Sequence, residues 1–364
     1  MMTENRKTIE WLFENHKIDI NRGRIFDTSP HLISESLDFD RVEVMMLGLA
    51  IGDALGNTSE GLRPRRRHAM YGEIRDYLQN PRANASVGLP SDDTQLAFWT
   101  LEQMIEDKSF KPENVARRFC SGRIFGIGAT VHEFICKYGA GKPWHECGPK
   151  SAGNGALMRI APMVIPHLKS ASSALWTDTA LSAMITHNDS ASIASCIAFV
   201  DMFWQLLGME SAPKANWWLE TFVNVAKELE LDESYRSRSP AFRNYRGTLW
   251  QFVQENVAEA YSRNTSAVEV CDSWFSGAYL METVPSVIYI LMKHAADPEE
   301  AIVRAVNDTV DNDTIGAIVG AAVGALHGKL RLPEKWISGL FGRTAEADDG
   351  KVFELLEKAK ALWG

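Results

Sequence analysis

The sequence predicts an all-α protein, on three observations. From Asp40 onward apolar residues recur at the helical period of 3.6 almost without interruption, apolar–polar alternation of the strand kind is scarce, and two of the periodic segments carry glycine at every fourth position. The periodic segments fall near 41–57, 94–107, 112–137, 171–186, 190–207, 215–230, 247–262, 278–295, 298–307 and 314–328. In the first, Gly48, Gly52 and Gly56 form a stripe, and in the last, Gly316, Gly320, Gly324 and Gly328 form another. Each gap of four returns to about the same helix face, so the stripes let backbones approach closely despite glycine's cost of ~1 kcal/mol in a helix interior. This places both helices at the centre of the fold. A membrane pair of the GxxxG kind is the competing reading, but the apolar stretch 315–326 has only 12 residues against the ~20 needed to span a bilayer.

Residues 1–39 read differently. One short amphipathic stretch (Ile9, Trp11, Leu12, Phe13) leads into a polar, extended segment through Asn21, Arg22, Gly23, Arg24 and Pro30. An N-terminal arm, 1–39, therefore precedes one domain over 40–364, with no internal repeat. The break around 232–246, with its RSRSPAFRNYRG run, reads as a surface loop or an insertion between helices.

A hydrophobic content of 45% is ample for a full core, and a net charge of −9 offers nothing attractive to nucleic acid or anionic lipid. Five cysteines (Cys120, Cys136, Cys147, Cys196, Cys271) make an odd set without CxxC spacing, which argues against a disulfide framework and a zinc knuckle and fits the reducing cytoplasm. The start, MMTENRKTIEW, has no apolar h-region, so a soluble, unexported protein with no membrane partner is expected.

The chemistry concentrates in two acidic clusters about 220 residues apart, SDDT at 91–94 and DNDT at 311–314, each opening an apolar helical stretch. Asp and Thr before a helix are common N-caps, but one residue suffices for a cap. Adjacent Asp92 and Asp93, and Asp311 two residues from Asp313, accumulate repulsion that a hard divalent cation relieves. Such a cation takes oxygen ligands, and the hydroxyls of Ser91 and Thr314 suit it as neutral donors. There is oxygen enough for two ions.

Other segments carry weaker signals. Asp53 lies on the first glycine helix and Glu60 just past its end; Glu60 is either an ordinary loop glutamate or a group that orients or deprotonates water beside a metal. In KSAGNGALMRIAP, Gly153 and Gly155 flank Asn154 before a helix-forming run, which is either a turn or a backbone nest for phosphate; Arg159 there pairs with a structural carboxylate or touches substrate. In THNDS, His187 is a structural junction residue or an acid–base group. The basic run RPRRRH, 63–68, is a solvated face or a greeting for an anionic substrate.

Taken in order, GLAIGDALGNTSEG, SDDTQLA, AGNGALMRIAPM, THNDS, SGAYLMETVPSVIYIL and DNDTIGAIVGAAVGALHG resemble the ADP-ribosylglycohydrolases, the family of dinitrogenase reductase-activating glycohydrolase, from about Asp40 to about Leu340. The resemblance implies an all-α fold with a binuclear Mg²⁺ or Mn²⁺ centre that removes ADP-ribose from modified protein side chains, arginine being favoured. Carried over by position, Ser91, Asp92, Asp93, Asp311, Asp313 and Thr314 are the expected metal ligands. Glu60 matches the acidic residue beside the second metal, and with Asp93 it is the candidate to activate water. Ser151, Gly153, Asn154 and Gly155 fall where the family holds diphosphate and ribose, and His187 matches a substrate-contacting histidine. Two departures stand out: Ser91 replaces the usual threonine, keeping the hydroxyl, and Thr309 and Val310 replace two glycines before Asp311, which predicts an altered pocket shape, affinity or substrate choice.

The resemblance also implies an alternative, since the family includes immunity proteins that neutralise ADP-ribosyltransferase toxins. The arm, with Trp11, Phe13 and Phe26, either plugs a toxin's active site or packs on its own core. A catalytically dead ADP-ribose sensor is disfavoured, because every expected ligand position keeps an oxygen donor.

Overall fold

Several of the helices begin where the sequence supplies a capping side chain or an N-terminal proline. The structure is a computed structural model describing residues 3–33, 38–80, 84–328 and 331–364. Among these the helices are α1 (Glu4–Glu14), α2 (Phe39–Asn57), α3 (Pro64–Tyr71), α4 (Asp92–Asp107), α5 (Pro112–Phe119), α6 (Ala129–Gly139), α7 (Ala174–Thr186) and α8 (Ser190–Leu207). They continue as α9 (Ala215–Leu229), α10 (Leu249–Ser262), α11 (Ala267–Trp274), α12 (Leu280–His294), α13 (Pro298–Asp308), α14 (Asn312–His327), α15 (Glu334–Ser338) and α16 (Lys351–Trp363). Thr3, Asp38, Asp189 and Asp297 cap α1, α2, α8 and α13; Thr248 and Gln251 form a capping box on α10; prolines open α3 and α5. Among the described residues, strands are confined to two antiparallel two-residue pairs, β1 (Gln79–Asn80) with β2 (Ala85–Ser86) and β3 (Tyr235–Arg236) with β4 (Arg246–Gly247). The all-α expectation holds.

The helix pair α2 and α14 forms the centre. Both are buried almost all round, as expected of helices without a polar face. Their glycine stripes meet face to face. A Cβ at Gly48 would lie 2.2 Å from the Gly320 carbonyl oxygen, and one at Gly52 would lie 2.0 Å from that of Gly316. At the end of the seam, a Cβ at Gly56 would lie 2.4 Å from the Asp313 Cα. No side chain larger than hydrogen fits there, and the acidic start of α14 is thereby pressed against the end of α2. Helix α8, long and apolar enough to cross a membrane on length and composition alone, is 89% buried against this core.

Two expectations need correction. The segment 112–137 is not one helix: α5 and α6 are separated by a glycine-containing break in which Gly126 takes φ +59°, a left-handed value that L side chains avoid. The run after Gly155 is not an α-helix but two 3₁₀ pieces, Leu157–Arg159 and Ala161–His167, because Pro162 and Pro166 lack the N–H an α-helix would need. The stretch around 232–246 does lie between two helices, α9 and α10, and is largely exposed as expected; its Arg238 makes two 2.8 Å bonds to the buried Glu282 of α12.

The N-terminal segment packs on the core. Ile9, Leu12 and Phe26 are completely buried, α1 lies on α7, and the indole N–H groups of Trp176 and Trp204 donate to the carbonyls of Thr28 (2.8 Å) and His31 (2.7 Å). Trp11 remains 44% exposed. All five cysteines are free.

Candidate active site

The seam delivers the carboxylates. Asp53, one turn before the end of α2, is fully buried and organises the SDDT loop: it accepts from the backbone N–H of Ser91 (2.9 Å) and Thr94 (3.0 Å) and from the Thr94 hydroxyl (2.5 Å). Ser91 is the N-cap of α4, its Oγ accepting from the Asp93 N–H at 3.3 Å, so neither Asp92 nor Asp93 is spent on capping. At the start of α14, Asp311 occupies the N-cap position but its side chain makes no capping bond. The capping explanation for the aspartates therefore fails at both clusters.

Two triads of carboxylates result, Asp53–Asp93–Asp313 and Glu60–Asp311–Asp313, each with its ligand atoms within 4.8 Å of one another. Asp313 belongs to both. Asp93 Oδ2 is buried without a hydrogen-bond partner, while Oδ1 accepts from the Thr314 hydroxyl at 3.2 Å. Burial is the main force raising every one of these acids. Asp53 is pushed up to about 6 against the hydrogen bonds it accepts, and Asp311 to about 7 with Glu60 and Glu282 adding to the effect. Asp92, Asp93 and Asp313 rise well above the ordinary carboxylate range, each further raised by its acidic neighbours, and Glu60, although solvent reaches it at the mouth, is raised by desolvation. Buried carboxylates that repel one another, an orphaned oxygen and all-oxygen donors are what a hard divalent cation needs, so the residues fit one.

All of these carboxylates except the fully buried Asp53 line a solvent-open cavity of about 200 Å³, whose walls also include Gly153, Asn154, Gly155, His187 and Thr314. Asn154 donates to Asp311 Oδ2 (2.6 Å) and to the Thr283 hydroxyl (3.0 Å), tying this loop to the second triad. Ser151 bonds the Thr130 hydroxyl at 3.0 Å and accepts from the Gly153 N–H at 3.3 Å; it supports the loop from behind and does not itself line the cavity. Ser91 likewise faces a neighbouring cleft rather than this one.

His187 is held neutral by its surroundings. Buried Arg159 donates to the Thr186 hydroxyl at 2.9 Å, and the same hydroxyl lies 2.9 Å from His187 Nδ1. A hydroxyl that accepts from arginine and donates its own proton to Nδ1 leaves the hydrogen of the neutral ring on Nε2, the tautomer in which all three groups are paired. Burial, with Arg159 nearby, pushes the imidazole down to about 3, keeping it neutral. Nε2 points toward the glycine loop, 3.3 Å from where a Cβ on Gly153 would stand. Arg159 itself pairs with no carboxylate and lines no part of the cavity, against both expectations for it; it bonds Ser182 and Thr186 and stacks on Phe119 at 4.9 Å.

The departure at Thr309 and Val310 leaves the backbone ordinary, as neither residue takes positive φ. Their carbonyls are held instead by Arg67, the buried arginine of the basic run, which donates to Thr309 (2.6 Å) as well as to Leu62 (2.8 Å) and Ser59 Oγ (3.0 Å). Positive φ appears opposite, at Phe275 (77°) and Ser276 (42°), where the Ser276 carbonyl accepts from the N–H groups of Val310 (3.2 Å) and Asp311 (2.9 Å).

Sequence reasoning passes over Asp53 as a ligand and misses the 126–131 wall. Asp53 has a signal, its position on the glycine stripe; the wall, read as the middle of a helix, has one in Gly122, Gly126 and Gly128.

The sequence profile of the ADP-ribosylglycohydrolase family matches residues 34–362. An uncharacterised protein of Archaeoglobus fulgidus is 30% identical over 85% of this chain and 95% of its own length. ADP-ribosylarginine hydrolase Tri1 of Serratia proteamaculans is 27% identical (86% of this chain, 79% of that protein), and ADP-ribosyl-[dinitrogen reductase] glycohydrolase of Rhodospirillum rubrum is 25% identical (83% and 90%). A solved ADP-ribosylglycohydrolase-related protein complex shares the fold, with a TM-score of 0.65 at 24% identity over 89% of this chain and 97% of that one. The chain belongs to the ADP-ribosylglycohydrolase family of glycosidic-bond hydrolases.

Proposed function

We propose that this hydrolase removes ADP-ribose from arginine side chains of modified proteins and depends on two divalent cations, Mg²⁺ or Mn²⁺. One would be held by Asp53, Asp93 and Asp313, the other by Glu60, Asp311 and Asp313, with Ser91, Asp92 and Thr314 as further oxygen donors close by. The observation that carries the reading is the pair of triads sharing Asp313 on the wall of a cavity flanked by glycine loops. Arginine is favoured by the relatives named ADP-ribosylarginine hydrolase.

Bound cations would supply fixed positive charge that polarises ribose hydroxyls and lowers the pKa of a water. The opening turn of α6, which has no side-chain cap, has N–H groups without intrahelical partners to offer the diphosphate, and Gly126, Gly128 and Gly155 leave room beside it. His187 Nε2 donates a hydrogen bond to a ligand oxygen. Glu60 or Asp93 takes the proton of the attacking water as its oxygen bonds to the anomeric carbon. The electron pair of the breaking C–N bond goes to the guanidino nitrogen, which is protonated on leaving. Developing positive charge on the ribose ring is stabilised by the surrounding carboxylates.

The test is release of ADP-ribose from arginine-ADP-ribosylated protein with Mg²⁺, beside a serine-linked substrate. Asp93→Ala, Asp313→Ala or chelation should abolish release from the arginine substrate; full activity in the metal-free protein would overturn the reading. The free cysteines support a cytoplasmic location. A second reading, binding of an ADP-ribosyltransferase toxin by the N-terminal segment, would use Trp11 and Leu32, which are 44% and 88% exposed. If Trp11→Ala with Leu32→Ala leaves toxin binding unchanged, that reading goes.

A further inference from the structure

Across Glu60 and Asp92 from the catalytic cavity lies a second cleft of about 320 Å³, lined among others by Asn57, Thr58, Ser91, Phe125 and Arg343. Glu60, Asp92 and Gly126 belong to both, so an acidic partition is what divides them. We propose that this second cleft receives the stretch of polypeptide that carries the modified residue, with Phe125 and Arg343 as its recognition residues. The proposal rests on the hydrolase reading above and extends it to the leaving side.

The two cavities differ in what they offer. The catalytic one is walled by glycine loops suited to a phosphate-bearing ligand. The second presents hydroxyl and amide groups, an aromatic ring and a guanidinium, which suit the carbonyls and side chains of a peptide. A glycosidic bond cleaved at the partition has ADP-ribose on one side and the side chain with its polypeptide on the other. A guanidino leaving group, rich in N–H donors, also matches the carboxyl oxygens of Glu60 and Asp92 as acceptors.

The far wall of this cleft is built from two chain segments held in register with the acidic helix. Gln95, on α4 two residues beyond Asp93, is completely buried. Its Nε2 donates to the carbonyls of Arg123 (2.9 Å) and Thr344 (2.9 Å), and its Oε1 accepts from the Phe125 N–H (2.8 Å). One amide thus locks the 123–125 loop and the C-terminal strap to the helix bearing Asp92 and Asp93. The strap is further fixed by the Phe341 N–H donating to the Gly88 carbonyl (2.9 Å), and Arg343 lies over the Phe125 ring at 4.5 Å. Stacking of this kind holds the planar donor fork of arginine in place.

The experiment compares wild type, Arg343→Ala, Arg343→Lys and Phe125→Ala on arginine-ADP-ribosylated protein and on free ADP-ribosylarginine, with affinity for ADP-ribose measured by calorimetry and folding checked by thermal melting. For Arg343→Ala, the ratio of kcat/KM on protein to kcat/KM on free ADP-ribosylarginine should fall about tenfold through KM, the size expected for one lost charge-assisted hydrogen bond. Arg343→Lys should recover only part of it, and ADP-ribose affinity should stay within about twofold of wild type, well under the tenfold that 1.4 kcal/mol represents. An unchanged ratio in both alanine variants, or a matching loss of ADP-ribose affinity, would overturn the assignment while leaving the hydrolase reading intact. A wild-type enzyme inert on both substrates would instead overturn the reading of arginine as the modified residue, on which the assignment rests.

Discussion

The two ends of the α2–α14 pair could hardly differ more. Along Gly48–Gly320 and Gly52–Gly316 the helices touch backbone to backbone with no side chain between them; one turn further, Asp53, Asp313 and Asp311 crowd together with Asp93 from α4 and Glu60 from the following turn. The dry end is favourable contact without charge, and the wet end is a crowd of carboxyl groups whose repulsion Asn154, Arg238 and Arg67 offset only in part. Placed on one rigid pair of helices, the first holds the second together: carboxylates free to move would separate. The seam therefore serves the site, and the two ends make opposite predictions under mutation.

The largest effect is expected from breaking the seam. In Gly52→Ala the added methyl would stand 2.0 Å from a carbonyl oxygen, a contact no rotamer relieves because the obstacle is backbone. The helices must separate, at a cost of about 3 kcal/mol or more, and the acidic end would lose its geometry with them. Circular dichroism melts and ADP-ribose release should both show it; a variant with wild-type melting and activity would mean the helices slide freely and the seam does not hold the site.

At the other end, removing charge should uncouple stability from function. Asp313→Asn keeps the shape and deletes the carboxylate shared by both triads, so activity should drop by about 10²–10³-fold or more, the scale seen when a preorganised electrostatic group is lost. Without cation, the same variant should melt above wild type, since Asp311, Glu60 and Asp53 all disfavour the Asp313 charge. Lower stability in the presence of chelator would show that the cluster is not repulsive as it stands.

Titration should sharpen the contrast. Asp53 and Asp311 are raised to about 6 and about 7 from an ordinary 3.8, so between about pH 4 and 7 the folded metal-free protein binds more protons than the unfolded chain. Stability then falls as pH rises through that window, by ~1.4 kcal/mol for every pH unit that separates a group's folded pKa from its unfolded one. A cation binds only the ionised form and competes with protons. Melts in EDTA should therefore be lower at pH 8 than at pH 5, while the increment from Mg²⁺ should be larger at pH 8. An increment independent of pH would remove the carboxylates as its source.

Much of this is legible in the chain. The two glycine stripes pair with each other, and Asp93, Asp311 and Asp313 converge with Glu60, because periodicity and charge are local patterns that survive folding. What escapes depends on partners distant in sequence. Asp53 reads as one acid in an apolar helix until Ser91 and Thr94 are seen donating to it, and Arg159 reads as a charge seeking a charge until its two terminal nitrogens are seen bonded to Ser182 and Thr186. The break between α5 and α6 is hidden by apolar residues on either side that keep the helical period, although Gly126 requires a left-handed turn. Ser151 carries the motif position yet supports the loop rather than lining the cavity, a distinction of side-chain direction that spacing does not carry.

The smallest effect isolates what glycine itself costs. Gly139 ends α6 without a positive φ, and a Cβ built on it meets nothing within 4 Å. Gly139→Ala should therefore stabilise the protein by about 0.5 kcal/mol, through lower unfolded-chain entropy and better helix propensity. Urea unfolding of Gly139→Ala beside Gly52→Ala changes the same atom in two settings, so their difference measures the close approach of α2 and α14 rather than any general intolerance of alanine. If Gly139→Ala destabilised as strongly as the seam variant, the penalty at Gly52 would belong to glycine's replacement as such, and the seam would lose its claim to hold the carboxylates in place.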